Sequence, residues 1–168
     1  MKKIQLGGHK NGSRIRGYVI VDDEDFERLN KYSWCLFSSS RHFINYASRG
    51  IRKNGKTKGV SMHRFILNAP KGMEVDHING NGLDNRKENI RICSHAENMR
   101  NQKMRKNNIS GLRGVCWDKK KKEWGANIYL NYKQIRLGSF SDMKDAALAY
   151  NEAAKKYHGA FACLNVLV

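Results

Sequence analysis

Residues 75–101 read VDHINGNGLDNRKENIRICSHAENMRN, and this stretch decides how the chain is organised. Met73–His77 is a strand candidate, and the two Asn-Gly steps that follow it predict a loop at Ile78–Leu83. Asn89–Cys93 (NIRIC) alternates polar and apolar residues as a brief second strand does. The stretch therefore predicts two short strands joined by a polar loop.

A helix is predicted directly after the second strand. Ser94 and Glu97 have the spacing of a capping box, with Ser94 at the N-cap and Glu97 at the third helical position. The helix is expected to run from Ser94 towards Lys103. The full order is then strand, loop, strand and helix.

Asp76, His77 and Asn98 carry the side chains that phosphodiester hydrolysis requires. The spacing lets the helix pack across the two strands and bring Asn98 near Asp76 and His77. One carboxylate and one amide oxygen are hard ligands that suit Mg²⁺ or Mn²⁺, with water completing the octahedron. The imidazole could remove a proton from an attacking water, while the metal neutralises charge on the scissile phosphate and its leaving oxygen.

The set Asp76-His77, Asn89 and Asn98 resembles the H-N-N variant of the HNH nucleases, the ββα-metal class that includes phage and intron-encoded homing endonucleases. The resemblance implies that Asp76 is a metal ligand, His77 the general base, Asn89 a brace for the loop that orients the histidine, and Asn98 the second protein ligand. Asn in place of His at the third motif position favours Mg²⁺, with Mn²⁺ as the alternative. The family also implies 5′-phosphate and 3′-hydroxyl products and an origin on a phage or other mobile element.

Two other histidines compete for roles in this region. His95 lies at the predicted helix N-terminus, where the helix dipole disfavours an imidazolium, so helix-end packing or a phosphate contact is the alternative to direct participation. His63, in SMHRF, lies on a predicted strand and is expected to be structural. A competing interpretation makes Asp76 and His77 a surface pair and Asn98 a solvated helix residue.

The first seventy residues predict short strands joined by turns. Ile15–Val21, His42–Arg49 and Gly59–Leu67 are the strand candidates, rich in β-branched and aromatic residues. Lys53–Lys56 (KNGK) is a hairpin turn, because Asn-Gly favours a type I′ turn. Pro70 closes the block. This strand-rich lead-in also resembles the N-terminal part of HNH proteins of this type.

Beyond the central stretch, residues 105–111 (RKNNISG) predict a polar linker. Leu112–Trp117, Trp124–Leu130 and Gln134–Leu137 are strand-like runs. A helix is predicted from Asp142, because apolar residues then recur at i, i+3, i+4, i+7, i+10, i+11 and i+14. A glycine suited to the C′ position, Gly159, follows it.

The segments SGLRGVCWDKKKKEWGANI, IRLGSF and DAALAYNEAAKKYHGAFACLN together resemble the Apetala-two DNA-binding domain of plant ethylene-response factors. The resemblance covers about residues 110–165 and implies a three-stranded antiparallel sheet, backed by one helix, that lies in the major groove. The Asn131-Tyr132 turn is a departure, since Asn-Gly would suit a tight type I′ hairpin.

By position in that family, Arg113, Trp117, Trp124 and Arg136 match residues that contact DNA. Arginine can read guanine bidentately, whereas a lysine run is expected to hold phosphates. The lysines concerned are Lys119, Lys120, Lys121 and Lys122. The alternative interpretations are that the tryptophans pack as core or sheet-face aromatics and that the lysine run is a solvated turn.

Composition supports a polyanion as the partner. The chain has 168 residues and 32 Lys+Arg against 15 Asp+Glu, a net charge of +17. The net charge is +9 over residues 1–70, +2 over 71–105 and +6 over 106–168. No run approaches the roughly 18 apolar residues of a membrane span, and no apolar segment typical of a secretory signal follows the N-terminal lysines.

Cysteine spacing argues against structural zinc and against a disulfide framework. The four cysteines, Cys35, Cys93, Cys116 and Cys163, are far apart and form no CxxC pair. Reduced, buried or inert thiols in a cytoplasmic protein, in the host cell of a phage or mobile element, are the expectation.

The sequence thus predicts an α+β protein with a strand-rich N-terminal block and HNH module at 1–104, a linker at 105–111 and a DNA-binding domain at 112–168. Its predicted function is a sequence-tolerant, site-specific endonuclease of the homing type that uses one divalent metal and nicks one strand of double-stranded DNA. A monomer without a protein partner or membrane contact is expected. The alternatives are a non-enzymatic DNA-binding regulator with a structural HNH segment, and a protein that binds or cuts RNA.

Overall fold

The computed structural model describes residues 1–7, 15–39, 44–101, 104 and 108–167. These residues mix helices and sheets, so the α+β expectation is confirmed. They divide into two compact units, Met1–His95 and Ala96–Val168. Within the described residues, no helix combines the length and the apolarity that crossing a membrane requires.

The first unit is built on a five-stranded sheet with the order β2-β1-β3-β4-β5. Its strands are β1 (Lys2–Gly7), β2 (Gly17–Val21), β3 (Trp34–Ser39), β4 (Ile44–Lys53) and β5 (Lys56–Ser61). β1 and β3 are parallel, and the other neighbours are antiparallel. The turn between β4 and β5 has Asn54 at φ 50° and Gly55 at φ 73°, which confirms the predicted Asn-Gly hairpin.

Two helices cover this sheet, α1 (Asp23–Asn30) and α2 (Met62–Ile66). Both contradict the expectation of strands and turns alone. The predicted strand Gly59–Leu67 is wrong beyond Ser61, because Met62 and Ile66, four residues apart, are both buried in the core and so share one helical face.

α1 was not predicted, although it begins with an acidic run. Asp23, Glu24 and Asp25 occupy its first turn, where the helix dipole favours negative charge. Leu29 of this helix is fully buried in the core, and Phe26 packs against the same cluster. The indole nitrogen of Trp34 also donates to the Leu29 carbonyl at 2.9 Å.

The central hairpin has the predicted order. β6 (Glu74–His77) pairs antiparallel with β7 (Ile90–Cys93), and α3 (His95–Arg100) follows. α3 is shorter than predicted, since it ends at Arg100, and Lys103 lies outside the described residues. Parts of two other predicted segments, 42–43 and 105–107, also lie outside them.

The second unit contains the predicted three-stranded antiparallel sheet, with the order β10-β9-β8. The strands are β8 (Val115–Asp118), β9 (Glu123–Leu130) and β10 (Lys133–Phe140), so β10 is longer than predicted at both ends. The turn between β9 and β10 has Asn131 at φ 48° and Tyr132 at φ 63°. Both values are those of a type I′ turn, which forms here without glycine.

One long helix, α4 (Met143–His158), packs on this sheet, and a 3₁₀ turn at Gly159–Phe161 ends it. The Asp142 side chain caps α4 by accepting from the Lys144 backbone N–H at 2.5 Å. Gly159 ends the helix at φ 53°, as its predicted C-terminal position requires. Alanines of α4 are buried against β8 and β9, which confirms the predicted helical stripe.

Candidate functional site

The two residues predicted to carry the chemistry lie at the end of β6. Asp76 is 5% exposed and His77 is 6% exposed, so they are not a surface pair. In the hairpin register Asp76 faces Arg91 and His77 faces Ile90. Burial removes water from both groups, and their behaviour is therefore set by the protein around them.

A polar loop follows His77 and is held by Asn89. The Asn79 backbone N–H donates to Asn89 Oδ1 at 3.0 Å, and Asn89 Nδ2 donates to the Asp84 carbonyl at 2.8 Å. The Asn89 carbonyl also accepts from the backbone N–H of Ile78 at 2.8 Å. Asn89 thus ties both sides of the loop together, and these contacts are the ones that the proposed bracing role requires.

A second polar centre in the loop is Asp84, which is 4% exposed. Its carboxylate accepts from Arg86 Nε and Nη2, each at 2.8 Å, and from Asn79 Nδ2 at 3.0 Å. The hydrogen bonds from Arg86 lower the pKa of Asp84, so this carboxylate remains ionised. Its oxygens are therefore engaged in holding the loop.

The loop is docked on the N-terminal sheet. The Ile20 backbone N–H donates to the Leu83 carbonyl at 2.9 Å, and the Ile20 carbonyl accepts from the Asn85 N–H at 2.8 Å. Gly82 packs so closely that an added Cβ would lie 2.4 Å from the Asn45 carbonyl oxygen and 2.7 Å from the Tyr46 ring. Only glycine fits at this position without moving β4.

The acidic run of α1 holds the far side of the loop. The Lys87 backbone N–H donates to Asp22 at 2.7 Å, and the Lys87 ammonium lies 2.5 Å from Glu24 and 3.4 Å from Asp25. These acids therefore position the polar loop that follows His77, a role that their sequence did not indicate.

His77 is held by a side chain that the sequence analysis missed. Asn85 is fully buried, and its Oδ1 lies 2.8 Å from His77 Nε2. Because an amide oxygen can only accept, Nε2 carries the proton and Nδ1 is the basic nitrogen. Burial lowers the pKa of His77, and Asn85, Asp76 and Asp84 oppose that shift. His77 is consequently neutral at neutral pH, as a general base must be.

Two aromatic rings enclose the His77 ring. The His63 ring is perpendicular to it with a centroid distance of 5.0 Å, and the Tyr46 ring lies 5.9 Å away at 43°. Burial lowers the pKa of His63 to about 3, so it packs as a neutral ring. The predicted strand location of His63 is wrong, since it lies on α2, and its contact with His77 was not foreseen.

Asp76 is paired with Arg91, another residue that the sequence analysis missed. Arg91 Nε and Nη2 donate to the same oxygen, Asp76 Oδ2, at 3.0 and 2.8 Å. The two residues face each other across the hairpin, so the pairing follows from the strand register.

The other two predicted participants lie on α3. Asn98 is in the middle of that helix and belongs to the second unit, so its approach to Asp76 and His77 stays a prediction. His95 is largely exposed, and its Nδ1 lies 2.8 Å from Glu74 Oε1. This pairing with Glu74 gives His95 a structural partner at the start of α3.

Among the described residues, no group of three His, Cys, Asp or Glu side chains could form a metal site. A site of one carboxylate and one amide oxygen, completed by water and a substrate phosphate, does not need such a group. The predicted donors Asp76 and Asn98 have the hard-ligand chemistry that fits Mg²⁺ or Mn²⁺.

The second unit separates the predicted DNA contacts onto two faces. Trp117 and Trp124 pair across β8 and β9 with ring centroids 5.0 Å apart, on the face that packs on α4. Trp124 contacts the core there, which favours the packing interpretation, while Trp117 is 45% exposed. Arg136 is exposed and pairs with Asn127 on the opposite face.

The remaining predicted contacts lie at the ends of the sheet. Arg113 precedes β8, and its backbone exchanges hydrogen bonds with the Asn165 side chain at 2.6 and 3.1 Å. The exposed lysine run forms the β8–β9 turn, where Asp118 accepts from the backbone N–H groups of Lys120 and Lys121. Tyr129, 61% exposed and paired with Gln134, lies on the same face as Arg136.

Comparison with known proteins identifies the chemistry of the hairpin site. Residues 68–100 match the model of a protein family described as HNH endonuclease. This match contains both strands of the hairpin, the docked loop and α3, so the protein is a nuclease.

Two viral relatives extend the comparison beyond the hairpin. The chain is 36% identical over 93 residues to Protein 3.8 of Escherichia phage T7, covering 55% of this chain and 76% of that protein. It is 26% identical over 154 residues to an uncharacterized HNH endonuclease of Acanthamoeba polyphaga mimivirus, covering 88% of this chain and 74% of that protein. The chain belongs to the HNH endonuclease family, whose members act on DNA and generally use a divalent metal.

Proposed function

We propose that the protein is a sequence-tolerant, site-specific endonuclease of the homing type that nicks one strand of double-stranded DNA as a monomer. The observation that carries this proposal is a buried, neutral His77 beside the buried carboxylate of Asp76. The two groups form one hydrolytic site per chain, which accounts for one cut per binding event.

His77 acts as the general base in this proposal. Asn85 binds the Nε2 proton at 2.8 Å, so the proton of the attacking water is taken at Nδ1. The rings of His63 and Tyr46 restrict the imidazole to one orientation. Asn89 holds the loop that carries Asn85, and it acts by positioning the base.

Asp76 and Asn98 would hold the metal, with Mg²⁺ preferred and Mn²⁺ as the alternative. A bound divalent cation neutralises charge on the scissile phosphate and its leaving oxygen. Arg91 orients Asp76 through two hydrogen bonds to one oxygen. No step of this proposal needs a structural zinc.

The second unit is proposed to bind the duplex. Exposed Arg136 is suited to base contacts, and the exposed lysines of the β8–β9 turn are suited to phosphates. Arg113, Trp117 and Trp124 complete the set that the Apetala-two resemblance predicts. The phage relative and the resemblance to homing endonucleases support the homing assignment.

Nicking of supercoiled plasmid tests the activity. With Mg²⁺ the wild type should convert supercoiled to open-circular DNA, and His77→Ala should lower the rate by about 10²- to 10⁴-fold. Asn98→Ala should also lose activity and regain part of it at high Mg²⁺ concentration. His95→Ala is the control, because His95 pairs with Glu74 and is expected to retain wild-type rates.

Plasmid that stays supercoiled with every divalent metal would contradict the proposal and favour the DNA-binding regulator. Equal rates for wild type and His77→Ala would also contradict it. Competition between duplex DNA and RNA addresses the remaining alternative, since a sheet that fits the B-form major groove should prefer DNA.

A further inference from the structure

The strands β4 and β5 continue beyond the rest of the N-terminal sheet. β3 pairs with β4 only as far as Ser48, whereas β4 and β5 remain paired to Lys53 and Lys56. Residues 49–53 and 56–60 therefore form a two-stranded ribbon, and every residue from 50 to 59 is exposed. The ribbon contributes almost nothing to the core, so its sequence is free to serve another purpose.

The ribbon lies in the longest segment of the chain without an acidic residue. Residues 28–73 contain ten Lys+Arg and no Asp or Glu. Five of these cations belong to the ribbon: Arg49, Arg52, Lys53, Lys56 and Lys58. Such an uncompensated positive surface is complementary to the phosphates of a nucleic acid.

The two faces of the ribbon differ in size. Lys53 and Lys58 share one face with Lys56, while Arg52 faces Thr57 on the other. That second face also carries a cross-strand pair of glycines, Gly50 and Gly59. The Thr57 methyl lies over Gly50, so the bare backbone of this face is at Gly59.

Gly59 is not explained by contacts within the protein. A Cβ added there would meet no atom within 4 Å, and its φ lies outside the left-handed region. Glycine in a strand costs roughly 0.5–1 kcal/mol relative to alanine, and it often marks a close approach by another molecule. A partner that comes against the bare face would explain the glycine.

We propose that the ribbon enters the major groove of the substrate DNA, with Arg52 towards the base edges and Lys53, Lys56 and Lys58 on phosphates. The proposal rests on the function proposed above. The major groove, about 12 Å wide, admits a two-stranded ribbon. Arg52 lies six residues along β4 from Tyr46, which contacts His77. At about 3.3 Å per residue this is roughly 20 Å, or about six base pairs from the nick.

Salt dependence of binding tests the phosphate contacts. The full chain with Lys53→Gln/Lys56→Gln/Lys58→Gln is compared with Lys3→Gln/Lys31→Gln/Lys71→Gln, which removes the same charge from exposed lysines of the same unit. Both sets are made in the His77→Ala background so that the duplex stays intact. The ribbon set should flatten the log–log salt slope by about 0.9 per lost contact, up to about 2.7, and the control set by less than 1.

Substitution of Gly59 separates docking from folding. Gly59→Val should raise the melting temperature, because valine favours strands, and should weaken duplex binding at least tenfold. A merely structural role would move stability and binding in the same direction. Methylation of guanine N7 about six base pairs from the nick should block the wild type but not Arg52→Ala.

Equal salt slopes for the ribbon and control sets would overturn the proposal, and so would unchanged binding by Gly59→Val. If the ribbon variants lose binding to RNA or to anionic vesicles but still bind the duplex, the proposal is overturned in favour of those partners. Wild-type nicking activity is measured in parallel. If the wild type nicks DNA but the ribbon variants bind the duplex normally, the ribbon proposal is refuted and the proposed function stands. If the wild type binds the duplex through the ribbon but does not nick it, the proposed function is refuted and the ribbon proposal stands.

Discussion

Replacement of Asn85 by leucine should reduce catalysis through His77. Leucine branches at the same carbon as asparagine but is larger, and because Asn85 is fully buried the substitution adds about 1–3 kcal/mol of overpacking. Its Nδ2 has no hydrogen-bond partner among the described residues, so the substitution removes one unsatisfied donor. It creates another, because His77 Nε2 loses its acceptor at 2.8 Å. The two effects on the free energy of unfolding oppose each other.

The effect on rate has no such compensation. A buried donor without its acceptor costs about 1–3 kcal/mol, and here that cost falls on the tautomer with Nδ1 as the basic nitrogen. At 1.36 kcal/mol per factor of ten, kcat should fall by about 5- to 150-fold. The melting temperature should fall by about 2–4 °C for each kcal/mol of overpacking.

The pH dependence of nicking gives an independent measurement with a definite sign. His77 must be neutral to act, so the rate rises with pH through its pKa, which burial lowers below the ordinary 6.5. The Asn85 hydrogen bond raises that pKa, so Asn85→Leu should move the acid limb to lower pH. Asn85→Asp places a carboxylate against the ring and should move the limb to higher pH.

A double-variant cycle decides whether Asn85 acts through His77. If it does, Asn85→Leu should have no further effect on kcat in the His77→Ala background. The positioning role would be refuted if the effects of the two substitutions on kcat multiply. It would also be refuted if Asn85→Leu has wild-type kcat and an unshifted acid limb of the pH–rate profile.

Two further predictions concern stability. His63 has a pKa of about 3 against 6.5 unfolded, so its contribution is complete above pH 6.5 and is lost as the pH falls towards 3. Between pH 6.5 and 4.5, His63→Phe should lose about 2 kcal/mol less unfolding free energy than the wild type in urea titrations, and parallel curves would contradict this. Tyr132 has φ 63°, so Tyr132→Gly should raise the free energy of unfolding by about 0.5–1 kcal/mol and Tyr132→Ala should leave it unchanged. Equal melting temperatures for the two variants would refute the strain argument.

Local rules predicted the elements whose periodicity or turn chemistry is strong. The α4 stripe repeats over four turns, and the Asn54-Gly55 turn leaves one choice of hairpin. The helices α1 and α2 were not predicted, because each is short and its helical face is defined by strands that are distant in sequence. Met62 and Ile66 bury against the five-stranded sheet, and no window of sequence contains that information.

Site residues that are neighbours in the sequence could be predicted, whereas those that come together only on folding could not. Asp76 and His77 are adjacent, and Asn89 follows at a recognisable spacing. Asn85 lies between them, yet its partner depends on how the loop folds back, so sequence spacing alone favours no role for it. His63 and Tyr46 reach His77 from α2 and β4, which only the tertiary structure brings together.

These contacts argue that the catalytic unit is larger than the segment that carries its motif. The family match begins at residue 68, but the ring of His77 rests on Tyr46 and His63, and the loop pairs with Ile20. At position 82 only glycine fits against the backbone of β4 and the Tyr46 ring. An isolated hairpin would leave the loop amides without these partners and the imidazole exposed to water, which would remove the burial that keeps it neutral. If His77 is the general base as proposed, the N-terminal sheet is part of the active site, and its basic ribbon extends from the same strand that contacts His77.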